Sequence, residues 1–252
     1  MTTTLAPRLD ALAIVLGRAG SKGVPGKNLA RIAGKPCARW TLDAARAARR
    51  VAHTVFSTDS PALAQLAARA GALPIERPKR LATDRATIDD AARHAVHFLE
   101  TLIADRFHDR QPFVILYANV PIRPPGLIDR AVELLWKSRA DSVQSYAPVG
   151  KFHPWWTARL DAHARVAPWE GRVLNHGIYR RQDLPPAFIP DGGVLVVTRR
   201  ALMLEIKGVA RGPHAFFGKD RRGIVNPEGS VIDIDAPTDL LVADAVLRSA
   251  AR

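Results

Sequence analysis

Apolar and polar positions alternate along the chain in blocks that predict strands and helices in turn. Short, nearly continuous apolar runs predict buried strands, whereas longer blocks with apolar residues three or four positions apart predict helices. The strand-like runs are ALAIVL (11–16), AHTVFSTD (52–59), LPIER (73–77), PFVILYANV (112–120), ADSVQSYAPV (140–149), the start of GGVLVVTRRALMLEI (192–206) and SVIDID (230–235). Helix-like blocks begin near positions 36, 60, 87 and 124, and two more follow the last two strands.

The spacing of these blocks predicts an α/β fold with a mostly parallel, twisted sheet and helices on both faces. Pro36 and the pair Ser60 and Pro61 are typical of helix starts, and Gly71 is typical of a helix end. In such sheets ligands bind beyond the carboxyl ends of the strands. We therefore expect the loops after the strands at 11–16, 52–59 and 112–120 to meet in one cleft.

The pattern changes after about residue 149. Residues 150–190 are rich in Trp, Pro, Arg and His and show no clean helical periodicity. Neither a repeat nor a low-complexity linker divides the chain. We therefore predict one domain over residues 1–252, with residues 150–190 forming an inserted, β-rich arm.

Charge narrows the class of ligand. The chain has 252 residues and a net charge of +13, from 37 Lys and Arg against 24 Asp and Glu, which favours anionic partners. These cations are scattered along the chain, and no zinc-finger spacing, aromatic ribonucleoprotein motif or arginine-rich arm accompanies them. Small phosphorylated ligands are therefore favoured over nucleic acid.

The expected compartment follows from Cys37 and the N-terminus. A single cysteine excludes an internal disulfide framework and is compatible with a reducing cytoplasm. The N-terminal apolar stretch is too short for a membrane span and does not resemble a signal peptide. We expect a soluble, cytoplasmic protein without a membrane partner.

The twelve residues GRAGSKGVPGKN (17–28) follow the first strand directly. They contain the glycines, cations and polar side chains Gly17, Arg18, Gly20, Ser21, Lys22, Gly23, Lys27 and Asn28. Glycines allow close approach of the backbone, its amides can form an anion-binding concavity, and cations can pair with a triphosphate. Because the spacing is neither that of a P-loop nor that of the dinucleotide fingerprint, the pattern alone leaves open a phosphate site or a solvated turn.

A second cluster lies at the other end of the chain. Asp233 and Asp235 flank Ile234, and on a strand both carboxylates would point to one face. Adjacent carboxylates repel unless a cation or proton intervenes, and Mg²⁺ with substrate phosphates suits such a pair. The alternative is that Asp235 only caps the final helix. A cationic glycine loop with a carboxylate pair is suited to nucleotidyl transfer.

Several motifs then accompany the loop in order. GRAGSKGVPGKN resembles the signature of the acylneuraminate cytidylyltransferases, the CMP-sialic acid synthetases and their CMP-Kdo relatives, which usually reads Arg-x-Gly-Ser-Lys-Gly-x-Pro-x-Lys-Asn. The blocks FSTDSPALAQLAARAGA, ERPKRLATDRAT, YRRQDLPPAFIPDGG and IDIDAPTDL resemble further segments of that family. The resemblance extends from about residue 13 to residue 245, which is nearly the whole chain.

This resemblance implies a fold, a reaction and an assembly. It implies a nucleotide-diphospho-sugar transferase-like fold whose arm dimerises, so a homodimer is expected. It also implies that CTP and a 2-keto sugar acid react, with Mg²⁺ as cofactor, to give a CMP-sugar and pyrophosphate.

Residue roles are implied as well. The implied nucleotide-binding residues are Gly17, Arg18, Gly20, Ser21, Lys22, Lys27, Asn28, Arg77, Ala86 and Thr87. Arg77 and the backbone near Ala86 and Thr87 would read cytosine. Arg18, Lys22 and Asp235 would act in catalysis. Asp233 and Asp235 would hold Mg²⁺, and Asp235 would also orient or deprotonate the attacking sugar hydroxyl.

The departures from the family lie on the sugar side. The family usually reads Leu-Gln-Pro-Thr-Ser-Pro-Leu-Arg where this chain has LYANVPIR, so Tyr117 replaces a glutamine that commonly contacts the sugar. Asp191 stands where an asparagine is usual, while Arg181 and Gln182 remain within YRRQD. The guanidinium of Arg181 suits a sugar carboxylate. These four residues are the implied sugar-binding set, and the changes predict a sugar acid other than N-acetylneuraminate.

Two alternatives stay open at this point. One is a related nucleotidyltransferase that uses another nucleotide or a sugar 1-phosphate. The other is a non-catalytic protein that binds nucleotides or nucleic acid, which would show a steep salt dependence and release no pyrophosphate.

Overall fold

The structure is a computed structural model that describes residues 10–20 and 22–250. Its strands are β1 (Ala11–Leu16), β2 (Arg31–Ile32), β3 (Lys35–Pro36), β4 (Val51–Thr58), β5 (Leu73–Glu76), β6 (Pro112–Tyr117), β7 (Ser142–Pro148), β8 (Ala158–Leu160), β9 (Val166–Pro168), β10 (Phe188–Thr198) and β11 (Arg221–Val225). Its α-helices are α1 (Cys37–Ala47), α2 (Pro61–Arg69), α3 (Ile88–Ile103), α4 (Leu127–Ser138), α5 (Arg199–Leu202) and α6 (Pro237–Ala250).

Within the described residues, seven strands form one sheet in the order β11-β7-β10-β6-β1-β4-β5. β10 runs antiparallel to β6 and β7, and the other neighbouring pairs are parallel. The predicted mostly parallel α/β sheet is therefore confirmed. Two short antiparallel pairs, β2–β3 and β8–β9, lie outside it.

Helices cover both faces of this sheet because side chains along a strand alternate between its faces. In β1, Ala13 and Val15 pack in one apolar cluster with residues of α1, α2 and α4. Ile14 and Leu16 pack in a second cluster with residues of α3. The strand is therefore apolar at every position, as a strand covered on both faces requires.

The helix ends follow the local signals of the sequence. Ser60 Oγ accepts a hydrogen bond of 3.3 Å from the amide of Leu63, and Pro61 occupies the first position of α2. Thr87 Oγ1 likewise accepts from the amide of Asp90, at the start of α3. Gly71, after α2, has a φ of +81°, a conformation that glycine adopts without strain.

Two strand predictions need correction. Residues 230–235 do not form a strand; among the described residues there is one isolated bridge, between Ile122 and Ile232. β11 was not predicted, because its RRGIV sequence is mostly exposed at the sheet edge and lacks an apolar pattern.

The segment over residues 150–190 contains less β structure than the sequence predicts. It holds the hairpin β8–β9 and 3₁₀ turns at Gly150–Phe152, Pro154–Trp156, Leu174–Gly177 and Arg181–Asp183 before it enters β10. Trp155 stacks on His176 with ring centroids 4.6 Å apart, and Trp156 Nε1 donates to the carbonyl of Ile178 at 3.1 Å. These contacts hold the arm together within itself.

Backbone hydrogen bonds bring three loops to one edge of the sheet. The amide of Gly17 donates to the carbonyl of Ser57 at 3.2 Å, and the amide of Ala118 donates to that of Leu16 at 3.0 Å. The amide of Arg77 donates to the carbonyl of Thr58 at 2.7 Å. The loops after β1, β4 and β6 therefore converge as predicted. None of the described helices has the length and apolar character needed to cross a membrane.

Candidate functional site

A cavity of about 270 Å³ opens where these loops meet. It is lined by Leu16, Arg18, Gly20, Lys27, Asn28, Arg77, Leu81, Thr83, Asp84, Ala86, Thr87, Ile88, Ala91, Tyr117 and Asn119. Most of the predicted nucleotide-binding residues are in this wall, although they come from loops far apart in sequence. Ser21 is also predicted to bind nucleotide, but it lies outside the described residues.

The glycines of the loop have different roles. A Cβ on Gly17 would lie 2.8 Å from Phe56 and 2.9 Å from Ala118, so this glycine is needed for packing on the core. A Cβ on Gly23 would overlap the carbonyl oxygen of Asp235, so that glycine lets the loop touch the C-terminal segment. A Cβ on Gly20 would meet no described heavy atom within 4 Å. Gly20, in the cavity wall, thus leaves its backbone open to the cavity.

Two cations of the loop are paired with one carboxylate. Arg18 Nη1 lies 2.6 Å from Asp84 Oδ1, and Lys22 Nζ lies 2.8 Å from Asp84 Oδ2. Hydrogen bonds from Lys22 and Arg18 lower the pKa of Asp84. Asp84 therefore stays ionised and occupies cationic groups that the sequence assigns to phosphate.

Lys27 joins the loop to the carboxylate segment. Its Nζ donates to the carbonyl of Ile234 and to Asp235 Oδ1, both at 2.6 Å. The Lys27 side chain is only 14% exposed, whereas that of Asp235 is 73% exposed. The cationic loop and the acidic segment, two separate clusters in sequence, are thus in direct contact.

Asn28 both supports the loop and offers a group to the cavity. Its Nδ2 donates to the carbonyl of Arg18 at 3.0 Å. Its Oδ1 is buried and has no hydrogen-bond partner among the described residues. Because leaving a buried acceptor unpaired is unfavourable, this oxygen is suited to a ligand donor such as a ribose hydroxyl.

Arg77 forms the floor of the cavity rather than part of the surface. Its Nε donates to Ser57 Oγ at 3.0 Å and its Nη2 to the Ser57 carbonyl at 2.7 Å. Burial lowers the pKa of Arg77 to about 10, which still leaves it charged at neutral pH. Ala86 and Thr87 lie in the same wall at the N-terminus of α3.

Asn119 fixes the carboxylate segment and was missed by the sequence analysis. Its Nδ2 donates to Asp233 Oδ1, and its carbonyl accepts from the amide of Ile234 at 2.9 Å. The available signal was its position in LYANV, directly after the most apolar strand and two residues beyond Tyr117. The two aspartates are thus presented by an irregular segment tied to Asn119, and not by the strand that the sequence predicts.

The two aspartates differ in environment. Burial, and then the negative charge of Asp235, raise the pKa of Asp233 to about 6. The Asp235 carboxylate accepts from Lys27 and from no described amide of α6, so it does not cap that helix. Asp239 Oδ2 instead accepts from the amides of Asp235 and Ala236 at 2.8 and 2.7 Å. The capping explanation of Asp235 is therefore removed, and its carboxylate remains available to the site.

The carboxylate pair is compatible with a divalent cation. Oδ2 of Asp233 and Oδ2 of Asp235 accept no hydrogen bond from any described residue. No cluster of three His, Cys, Asp or Glu side chains over residues 10–20 and 22–250 forms a closed metal cage. Two carboxylates completed by water and substrate oxygens are the usual protein share of a Mg²⁺ site.

The four predicted sugar-binding residues have different surroundings. Tyr117 lies in the cavity wall, where burial, and then the charge of Asp233, raise its pKa to about 12. Asp191 accepts from Ser145 Oγ, from the amide of Gly193 and from Asn226 Nδ2, so its carboxylate is used inside the protein. In the arm, Arg181 forms an exposed pair with Glu228 at 2.8 Å, and Gln182 is exposed in the same 3₁₀ turn.

Sequence comparisons find a matching family and similar curated proteins. The family model described as cytidylyltransferase matches residues 12–160. The N-acylneuraminate cytidylyltransferase of Streptococcus agalactiae serotype III is 32% identical over 199 residues, which cover 78% of this chain and 45% of that protein. The CMP-N,N'-diacetyllegionaminic acid synthase of Legionella pneumophila is 29% identical over 238 residues, which cover 94% of this chain and 95% of that protein. This chain thus spans about half the length of the first relative and nearly the whole of the second.

Structural comparison supports the fold. A solved structure of a CMP:2-keto-3-deoxy-manno-octonic acid synthetase complexed with CTP aligns with a TM-score of 0.69. The sequence identity is 16%, and the alignment covers 95% of this chain and 99% of the other.

Proposed function

Because the chain belongs to the cytidylyltransferase family, we propose that it transfers CMP from CTP to a 2-keto sugar acid and releases pyrophosphate. The observation that carries this proposal is the direct contact between Lys27 of the glycine loop and Asp235 of the carboxylate segment. This contact brings a cation that lines the cavity next to the segment that carries Asp233 and Asp235. Such an arrangement serves in-line transfer of a phosphoryl group, in which charge develops on phosphate oxygens.

The triphosphate of CTP lies against the loop in this proposal. Arg18, Lys22 and Lys27 supply positive charge, and the backbone at Gly20 allows close approach. Charge-assisted hydrogen bonds of this kind are about twice as strong as neutral ones. Because ion pairs strengthen as water leaves, these contacts are most effective at the walls of the cavity.

The nucleoside occupies the inner wall. Asn28 Oδ1, the unpaired buried acceptor, takes a ribose hydroxyl. Arg77 and the backbone at Ala86 and Thr87 face the base, and Arg77 is held in place by Ser57. A guanidinium fixed in this way recognises cytosine without first losing side-chain entropy.

The reacting groups meet at the outer end of the cavity. The anomeric hydroxyl of the sugar acid attacks the α-phosphorus, the new O–P bond forms, and the bond to the β-phosphate oxygen breaks. Asp235 lies at the exposed end of the pair, where its carboxylate orients the hydroxyl or accepts its proton. Lys27 holds that carboxylate in position.

The residues present also fit Mg²⁺. Asp233 and Asp235 each have one carboxylate oxygen without a described hydrogen-bond donor. Burial, and then the negative charge of Asp235, raise the pKa of Asp233, and a cation would stabilise both carboxylates. A bound Mg²⁺ would supply positive charge beside the phosphates. Asn119 positions Asp233 for this role through its side-chain amide.

For the acceptor we propose a sugar acid other than N-acetylneuraminate. Tyr117 presents a buried phenol in the cavity wall, where the family resemblance places a glutamine. The Legionella relative that matches along nearly its entire length is named for N,N'-diacetyllegionaminic acid. A diacetylated acid of that type is therefore our first choice for this chain.

The arm supports a homodimer. It exposes the large apolar residues Phe152, Leu160, Val166, Trp169, Val173, Leu174, Tyr179, Phe188 and Ile189. Concentrated exposed apolar surface of this kind is typical of protein–protein interfaces. We propose that a second copy of the chain covers it, in the cytoplasm where CTP is made.

The test is pyrophosphate release with Mg²⁺ and CTP, UTP, GTP or ATP. Each nucleotide is combined with N-acetylneuraminate, Kdo, 8-amino-Kdo, legionaminate or pseudaminate. We expect release with CTP and one acid, and none from the Asp235→Asn variant. Highest activity with N-acetylneuraminate would contradict the proposed acceptor. Release with another nucleotide, or failure of the wild-type protein to bind any nucleotide, would contradict the proposed function itself.

A further inference from the structure

Asp84 is paired with two cations that the proposed function assigns to phosphate. Its two carboxylate oxygens are divided between two cations, with Arg18 at 2.6 Å and Lys22 at 2.8 Å. Arg18 Nη1 also approaches the carbonyl of Ala82 at 3.5 Å, so residues 82–84 lie across the loop. The anion that contacts these cations is thus supplied by the protein itself.

The ion pairs of Asp84 with Arg18 and Lys22 are weak enough for the phosphates of a ligand to displace the carboxylate. The side chains of Asp84 and Lys22 are 42% and 85% exposed, so water screens both ion pairs. Asp84 lies between the 3₁₀ turn Lys79–Leu81 and the start of α3, and the described residues give its carboxylate no other partner. A triphosphate brings about four negative charges to the same cations and can replace one carboxylate.

We propose that Asp84 is an internal competitor for the phosphate-binding cations of this site. The carboxylate pairs with Arg18 and Lys22 when the site is empty, yields them to the triphosphate, and pairs with them again as pyrophosphate leaves. It therefore raises the Kd of both CTP and pyrophosphate by the reciprocal of the fraction of time that the ion pairs are open. Asp84 is a positioning residue that favours product release, not a group that reacts.

The competitor role of Asp84 rests on the proposed function only in that CTP and pyrophosphate are taken as the ligands. We would titrate CTP, inorganic pyrophosphate and cytidine into the full-length protein by calorimetry, in low-salt buffer with EDTA. Asp84→Asn removes the negative charge and keeps the shape of the side chain. Asp43→Asn is the matched control, because Asp43 also divides its carboxylate between two cations, Lys35 at 3.1 Å and Arg39 at 2.7 Å.

We expect Asp84→Asn to lower the Kd of CTP and of pyrophosphate by about threefold to tenfold, as when the closed form makes up about two thirds to nine tenths of the population. Cytidine, which has no phosphate, should bind equally to both proteins. Asp43→Asn should match the wild type, which excludes a general effect of net charge. Asp84→Glu, which can restore the pairs, should bind more weakly than Asp84→Asn.

The opposite result is equally informative. If Asp84→Asn binds CTP and pyrophosphate as the wild type does, or less tightly, Asp84 only organises the loop and the proposal is overturned. If neither protein binds either anion, the cations are not a phosphate site and the proposal is overturned with that assignment. Tighter pyrophosphate binding by Asp84→Asn in a protein that shows no turnover would support the competitor and contradict only the proposed reaction.

Discussion

The cavity wall and the arm are stabilised by different kinds of contact. The wall rests on the sheet: Gly17 packs against Phe56, and Arg77 is held by Ser57, while Asn119 ties down the carboxylate segment. The arm over residues 150–190 is held mainly by contacts within itself, and Tyr179 is 90% exposed. The wall is therefore supported by the sheet, whereas the arm exposes large apolar side chains.

This difference separates two kinds of mutational effect. Substitutions in the wall should change binding or turnover in a fold that the sheet maintains. Substitutions on the exposed face of the arm should change assembly. If a substitution in the arm changed nucleotide binding, or one in the wall changed assembly, the arm and the wall would not be independent.

The largest expected effect is that of Asp235→Asn. In the proposed reaction this substitution removes a charge beside the reacting phosphate, so we expect turnover to fall by about 10²- to 10³-fold or more, a loss typical of one electrostatic group in an active site. The fold should persist, since Asp235 is 73% exposed. Pyrophosphate release and thermal unfolding check these points, with Asp244→Asn, which removes a carboxylate paired with Arg248 on the same helix, as control. Normal turnover in Asp235→Asn would refute its role.

Lys27→Ala should affect nucleotide binding next most strongly. Loss of a charge-assisted phosphate contact costs about 1.5–3 kcal/mol, which corresponds to a CTP affinity about tenfold to 150-fold lower. The substitution also removes the link between the loop and Asp235. Calorimetric titration of CTP gives the result, and Lys35→Ala, which breaks an exposed pair with Asp43, is the control. Equal CTP affinity in the two variants would remove Lys27 from the site.

A smaller, pH-dependent effect is expected at Asp233. Its pKa is raised by burial from 3.8 to about 6, so the folded protein holds this proton more firmly than the unfolded chain. Stability contributed by Asp233 is therefore greatest below pH 4 and is lost as the pH rises through about 6. In metal-free buffer the Tm of Asp233→Asn should rise relative to that of the wild type between pH 4.5 and 7. A Tm difference that stays constant over this range would contradict the assignment.

Much of the wall could be predicted from sequence because its chemistry is concentrated in short motifs. The glycine loop contains Arg18, Lys22 and Lys27 within ten residues, and the carboxylate pair is separated by one residue. The alternation of apolar blocks also places the glycine loop at the carboxyl edge of a sheet. Local patterns of this kind remain visible without knowledge of tertiary contacts.

The rest depended on contacts that local patterns do not encode. Asp84 and Asn119 are ordinary polar residues in sequence, and they become part of the site only by meeting Arg18 and Asp233 across long separations. β11 is an edge strand that begins with two arginines and therefore lacks the apolar pattern by which a strand is predicted. The segment around Asp233 was predicted as a strand because SVIDID alternates, yet its backbone pairs with the loop after β6 and not with the sheet.

Substituting two glycines of the loop can distinguish a glycine needed for packing on the core from one needed for close approach of a ligand. Gly17→Ala should destabilise the protein by about 1–3 kcal/mol, because the new methyl group overlaps Phe56 and Ala118. Gly20→Ala has open space and should change stability by less than about 0.5 kcal/mol, while weakening CTP binding. Urea denaturation and CTP titration separate the two outcomes. Equal destabilisation by both would show that Gly20 is packed as tightly as Gly17.

Substitutions on the exposed face of the arm should have the smallest effect on stability, but they should prevent assembly of the dimer. Leu160 and Tyr179 are 69% and 90% exposed, so changing both to Ser should leave the free energy of unfolding of a single chain within about 0.5 kcal/mol. If a second copy covers this face, sedimentation should show the double variant as a monomer under conditions where the wild type is a dimer. Leu241→Ser, at a residue 73% exposed on α6, is the control for loss of an exposed apolar side chain elsewhere. A double variant that remained dimeric would place the interface outside the arm, and loss of CTP binding in the monomer would show that the wall depends on its partner after all.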